Sequence, residues 1–131
     1  MKRMKIGLIT CCLLAGCTAY GQTVKKKLLG TYEGTIPAYR MDVGQTVVNV
    51  EPTTIRIELL DGSVIVQHLD NKKHRGTWTV DDTEKAYYVI TYRLEGQAAE
   101  ERLILYRKTR TMERDGFFPQ PDALLTRESR R

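Results

Sequence analysis

An all-β fold, a small antiparallel and mostly meander β-barrel of about seven to nine strands, is predicted by three features of this chain. Apolar residues recur at every second position in short runs beyond residue 28, the period of a strand with one face buried. Gly, Asp and Asn separate the runs, and past the leader no segment sustains a 3.6-residue apolar period. A sandwich satisfies the same pattern. The barrel is preferred because about 110 residues with meander connections can close on themselves and leave no open edge.

The chain opens differently. Lys2, Arg3 and Lys5 precede an apolar run, 6–14, with no acid among them. A spanning helix needs about 20 apolar residues, and this run is about half that, which is the order of an export signal. The run ends in LAGC (14–17), and Cys11, Cys12 and Cys17 are the only cysteines. They lack the separated pairs that wrap four ligands around a structural metal.

LAGC resembles the lipobox of bacterial lipoproteins. The resemblance implies cleavage before Cys17, acylation of Cys17, and a membrane anchor of two or three acyl chains, where one chain would be marginal. Residues 1–16 are then a lipoprotein signal peptide, 17–27 a lipid-anchored flexible tether, and 28–131 a single barrel domain. The alternative is ordinary secretion to the periplasm after cleavage before Gln22. Either way Cys11 and Cys12 leave with the leader, and no disulfide can form within the domain. Loss of Lys2, Arg3 and Lys5 also leaves 18 basic against 16 acidic residues, a net charge of +2, so composition gives no support to nucleic-acid binding. Lys25, Lys26 and Lys27 end the tether as a solvated run, or as a basic stretch attracted to anionic lipid.

The first strand is expected in LGTYEGTI (29–36). Pro37 ends it by removing a backbone donor, and Gly44 permits the return into QTVVNV (45–50). Tyr39, Arg40 and Met41 between them are expected in an exposed loop at one barrel end. The loop either binds a partner or simply connects, with Tyr39 folded onto the core. In TIRIELL (54–60), Ile55, Ile57 and Leu59 share a face, and Asp61-Gly62 reads as a two-residue hairpin turn into SVIVQH (63–68). The charged run DNKKHR (70–75) reads as a solvated turn before GTWTV (76–80), and DDTEK (81–85) as another. AYYVITYRL (86–94) and ERLILYR (101–107) form a second hairpin, with Tyr88, Ile90, Tyr92 and Leu94 on one face and Leu103 and Leu105 opposite. TRTMER (109–114) and ALLTR (123–127) complete the set.

TYEGTIP (31–37), the Asp61-Gly62 turn, GTWTV and RDG (114–116) occur in an order that resembles the N-terminal domain of the copper-resistance lipoprotein NlpE family and its lipocalin-like relatives. That resemblance implies a lipocalin-like barrel in the bacterial cell envelope, anchored at the outer membrane and facing the periplasm. Where the family reads CADC, this chain has AYRMD (38–42). No thiolate pair remains for soft metal or redox exchange, so copper handling does not transfer.

Catalytic chemistry has little to build on. Nucleophilic catalysis needs a base oriented by a third group, and only His68 and His74 offer imidazoles. The adjacent acids of DDTEK cannot span a glycosidic cleft. The expectation is therefore no enzyme, no catalytic residues, no metal site and no cofactor. Two functions from different classes remain: an interaction or envelope stress-sensing module, and a lipocalin-like carrier of a small amphipathic ligand. For either, Tyr39, Arg40, Met41, Arg93 and Arg107 are the candidate binding residues, the arginines supplying charge for a head group or a partner. The expected partners are the membrane, through Cys17, and an envelope protein or small amphipathic ligand, with no nucleic acid.

Overall fold

The structure, a computed structural model, describes residues 24–116 and 119–128. The leader, Cys17 and the first part of the tether lie outside the described residues.

Ten strands follow a short 3₁₀ turn over Lys26–Leu28: β1 (Gly30–Ile36), β2 (Tyr39–Val43), β3 (Thr46–Val50), β4 (Thr53–Leu60), β5 (Val64–Leu69), β6 (Lys72–Thr83), β7 (Tyr87–Leu94), β8 (Glu101–Tyr106), β9 (Thr111–Arg114) and β10 (Ala123–Arg127). Eight of them close an antiparallel barrel in the order β1, β10, β9, β8, β7, β6, β5, β4. Among the described residues β2 and β3 pair only with each other, as a hairpin arm separate from the barrel sheet.

The period-two pattern fixes which residues enter the barrel. Ile55, Ile57 and Leu59 of β4 are fully buried. On β7 and β8, Tyr88 lies opposite Leu105 and Ile90 opposite Leu103, all facing inward. Tyr32, Trp78, Tyr92, Met112 and Leu125 join them in one continuous core. Trp78 donates its indole N–H to the Val64 carbonyl at 2.9 Å, which ties β6 to the β4–β5 turn.

Two glycines allow the wall to curve. A Cβ on Gly76 would lie 2.0 Å from the Arg93 carbonyl oxygen, and one on Gly34 would lie 2.2 Å from that of Leu124. Backbone contact that close admits no side chain.

Four details differ from the sequence reading. The 61–63 turn has three residues, with Gly62 and Ser63 both at positive φ, and Leu60 pairs with Val64 across it. The charged run 70–75 is a turn only at Asp70 and Asn71, both left-handed, after which Lys72–Arg75 continue β6. Asp81 is the extra residue of a bulge between Val80 and Asp82, so β6 runs on through residues read as a turn. Tyr39–Val43 is a strand and not a loop.

The two ends of the barrel are unlike. One end, here called the plugged end, carries the 3₁₀ turn, the β4–β5, β6–β7 and β8–β9 turns, and the end of β10. Val24 and Leu28 are buried in it, and the Tyr32 hydroxyl donates to the Leu28 carbonyl at 2.6 Å. The expected tether of residues 17–27 thus overlaps this plug from Val24 onward. The opposite, arm end carries the β2–β3 hairpin and the β5–β6, β7–β8 and β9–β10 connections.

Candidate functional site

Toward the arm end, the inward positions of four strands change from apolar to polar. Gln67 on β5, Tyr92 on β7, Glu101 on β8 and Arg114 on β9 are all buried, with Arg114 3% and Glu101 7% exposed. Tyr92 and Glu101 are direct cross-strand partners, which brings phenol and carboxylate together on the inner face.

Arg114 organises the group. Its Nη2 donates to Glu101 Oε1 at 3.0 Å, its Nε to the Tyr92 hydroxyl oxygen at 3.3 Å, and its Nη1 to Gln120 Oε1 at 2.7 Å. The Tyr92 hydroxyl lies 2.6 Å from Glu101 Oε1 and 3.0 Å from the Gln67 amide. A phenol has one proton, which the charged carboxylate takes; with the Gln67 amide turned, its NH₂ donates to the same phenol oxygen. Each member is then satisfied by another member.

Burial pushes the Tyr92 phenol strongly upward, Arg114 pulls against this, and Glu101 adds to it. Burial alone would weaken the Arg114 charge, but Tyr92 and Glu101 outweigh it and hold the guanidinium more firmly protonated than usual. The cluster therefore pairs a guanidinium with a carboxylate at a buried position. Its donors and acceptors are spent on one another, which suits a rigid structural device better than a reacting centre.

From outside, a recess of about 440 Å³ reaches Glu101 between Asp81, Thr91, Glu100, Arg102, Asp115 and Gly116. Burial, and then the Asp122 charge, push the Asp115 carboxyl upward. A second recess, of about 300 Å³, lies beside His68 and is lined by Arg56, Lys72 and Lys73 among others. His68 Nε2 is 2.6 Å from Glu58 Oε2. His74 is the inward register partner of Gln67, whereas His68 pairs with Lys73 on the outer face. The two imidazoles therefore point to opposite sides of the wall, and no group of three or more metal-ligating His, Cys, Asp or Glu side chains occurs among the described residues.

The sequence-predicted binding residues are not gathered in one place. Tyr39 packs partly against the core, Met41 is half-buried and Arg40 is exposed, all on the arm. Arg93 sits on the outer wall with Glu100 at 3.4 Å. Arg107 belongs to the plugged end, where it lies 4.8 Å from the centre of the Tyr88 ring and donates to the Glu84 carbonyl at 2.8 Å. Sequence reasoning passed over Gln67, Glu101 and Arg114. The signal was available: Arg114 follows inward Met112 at the strand period, and Glu101 precedes inward Leu103.

The arm is the other notable feature. Its register places Tyr39, Met41, Val43, Val48 and Val50 on one face and Arg40, Asp42, Val47 and Asn49 on the other. Val43 is 56% exposed and Val47 48%. Among the described residues, no strand pairs with either outer edge of this two-stranded sheet.

Comparison of the chain with protein-family models, with curated proteins and with solved structures finds no match.

Proposed function

We propose that this protein is a lipid-anchored, non-catalytic module of the bacterial cell envelope that engages a protein partner through the β2–β3 arm. The observation that carries the reading is the arm itself. Apolar residues in water on a strand pair with two open edges form a surface that another chain can cover by adding a strand. The barrel beneath is filled with Tyr32, Tyr88, Tyr92 and Trp78, so it serves as a rigid platform. This packing speaks against the carrier alternative, which needs interior space for a ligand.

The anchor reading rests on LAGC behind a basic and apolar leader. The outer wall carries Arg56, Arg93, Arg102 and Glu113, and the interior is apolar apart from the cluster of Gln67, Tyr92, Glu101 and Arg114. That is the reverse of a barrel that faces lipid, and it suits a domain held at a membrane from outside. The NlpE-like motif order agrees with such a location and brings no metal chemistry with it.

A photo-reactive amino acid placed at Val47 in cells should yield one discrete adduct, and the same probe at Thr91 on the barrel wall should yield none. Equal labelling at both positions, or none at Val47, overturns the partner assignment. Cys17→Ser should abolish acylation and release the chain from membranes or leave an uncut precursor. A wild-type chain that begins at Gln22 without an acyl mass overturns the anchor.

A further inference from the structure

The near-neutral charge of the domain is unevenly placed. Beside the 3₁₀ plug, a recess of about 510 Å³ is lined by Lys25, Lys27, Lys85, Arg107 and Lys108, with only Leu28 and Ala86 among them. These cations come from three places in the chain: the segment before β1, the β6–β7 turn and the β8–β9 turn. Strand pairing therefore gathers a patch that the sequence shows only as the triplet at 25–27. Among the described residues no carboxylate lines this recess, whereas the recesses toward the arm end both include acids, one with Asp81, Glu100, Glu101 and Asp115 beside Arg102 and the other with Asp70 beside Arg56, Lys72 and Lys73.

We infer that the plugged end is a docking surface for an anionic phospholipid bilayer, with this recess receiving a head-group phosphate. Close cations from separate segments concentrate positive potential in a concave site, and each adds to the attraction toward an anionic leaflet. Lys25 and Lys27 enter the recess from the stretch that leads back to Cys17. Cys17 and Val24 are seven positions apart, a span of at most about 25 Å when extended. The choice of membrane over nucleic acid rests on the anchor reading above, because an acylated Cys17 holds this end within that distance of the bilayer. The arm, at the opposite end, is then directed away from the lipid.

The test is flotation of the full chain with two vesicle types, phosphatidylcholine alone and phosphatidylcholine mixed with phosphatidylglycerol. The ratio of the two affinities is the readout. Lys85→Gln with Lys108→Gln removes two cations from exposed turns and should lower that ratio roughly 25-fold. Lys72→Gln with Lys73→Gln, at the arm end, should leave it nearly unchanged, and Trp78 emission reports that both variants are folded. Cys17→Ser should remove binding common to both vesicle types and preserve the phosphatidylglycerol preference, so failure of the anchor and failure of the lipid surface are separable. Equal binding to both vesicle types overturns the inference, as does an equal loss in the two lysine pairs. Suppression of vesicle binding by inorganic phosphate at the vesicle phosphate concentration assigns the recess to a soluble anion instead, and preference for duplex DNA over vesicles assigns it to nucleic acid; either result overturns it.

Discussion

Replacing Arg114 with Met tests whether the buried cluster is a closed structural device. The substitution keeps most of the apolar volume and removes three donors, at 2.7, 3.0 and 3.3 Å from Gln120, Glu101 and Tyr92. Glu101, 7% exposed, is left as a buried carboxylate with one donor, the Tyr92 hydroxyl. Removing one partner of a buried ion pair costs about 3–5 kcal/mol, a large part of the 5–15 kcal/mol typical of a whole domain. Glu101→Leu should cost about as much by stranding the guanidinium. The double variant removes both charges and leaves Tyr92 paired with Gln67, so its stability should lie within about 1 kcal/mol of the parent. Urea unfolding followed by Trp78 fluorescence gives all four corners of the cycle, with unchanged m-values as the check on two-state behaviour. A coupling of at least about 3 kcal/mol is expected. Single losses below about 1 kcal/mol, or additive effects, would refute the picture of a buried, mutually satisfied pair.

Gly76→Ala places a methyl 2.0 Å from the Arg93 carbonyl oxygen, so the wall must open there; a drop of several degrees in melting temperature is expected, and an unchanged one would show that β6 and β7 are not so close. Trp78→Ala should cost about 3–5 kcal/mol through lost burial and a cavity, and native Trp78 emission at the wavelength of exposed indole would contradict its burial. Burial pushes the Tyr32 phenol up to about 12 from 10.0 and raises Tyr92 as well. The unfolded chain therefore gives up these protons first: their contribution is whole below pH 10 and is lost as pH climbs toward 12. A urea midpoint equal at pH 9 and pH 11 would exclude this linkage. On the arm, Arg40→Ala should leave stability within about 0.5 kcal/mol while weakening the adduct at Val47, whereas Tyr39→Ala should lower stability because Tyr39 packs against the core.

The strands that face water on one side were the easiest to read. In β4 and β7 the alternation is unbroken for a full strand, and the residues it placed inside are inside. β6 was read short because Lys72–Arg75 and Asp81–Thr83 are charged at both ends; its flanks project into solvent, where a strand needs no apolar face. YRMDV alternates too, yet Pro37 before it and Gly44 after it argued for a loop. Gly44 instead supplies the left-handed turn, φ 64, that joins β2 to β3. The buried cluster was hidden for a different reason. A charged residue at an inward position reads as a strand end unless its counter-charge is known, and Glu101 and Arg114 meet only once β8 and β9 are side by side. The basic recess was likewise divided among three separate segments, which contribute Lys25 and Lys27, Lys85, and Arg107 with Lys108.

The seam between β1 and β10 sets an order of events. Every other ladder of the barrel joins strands that are consecutive in the chain, except β1 with β4, which bridges only the arm. Those ladders need short loop closures and can form as the polypeptide emerges. The seam joins Tyr32 to Arg127 through a register of three pairs, reinforced by the Glu128 amide on the Thr31 carbonyl and the Arg127 guanidinium on the Lys27 carbonyl. It closes the longest loop among the barrel ladders, and loop closure must precede any gain from such contacts. A nascent chain lacking its last strand therefore exposes the facing edges of β1 and β9 together, which makes the interval before residue 123 is delivered the period of greatest exposure to chaperones and proteases.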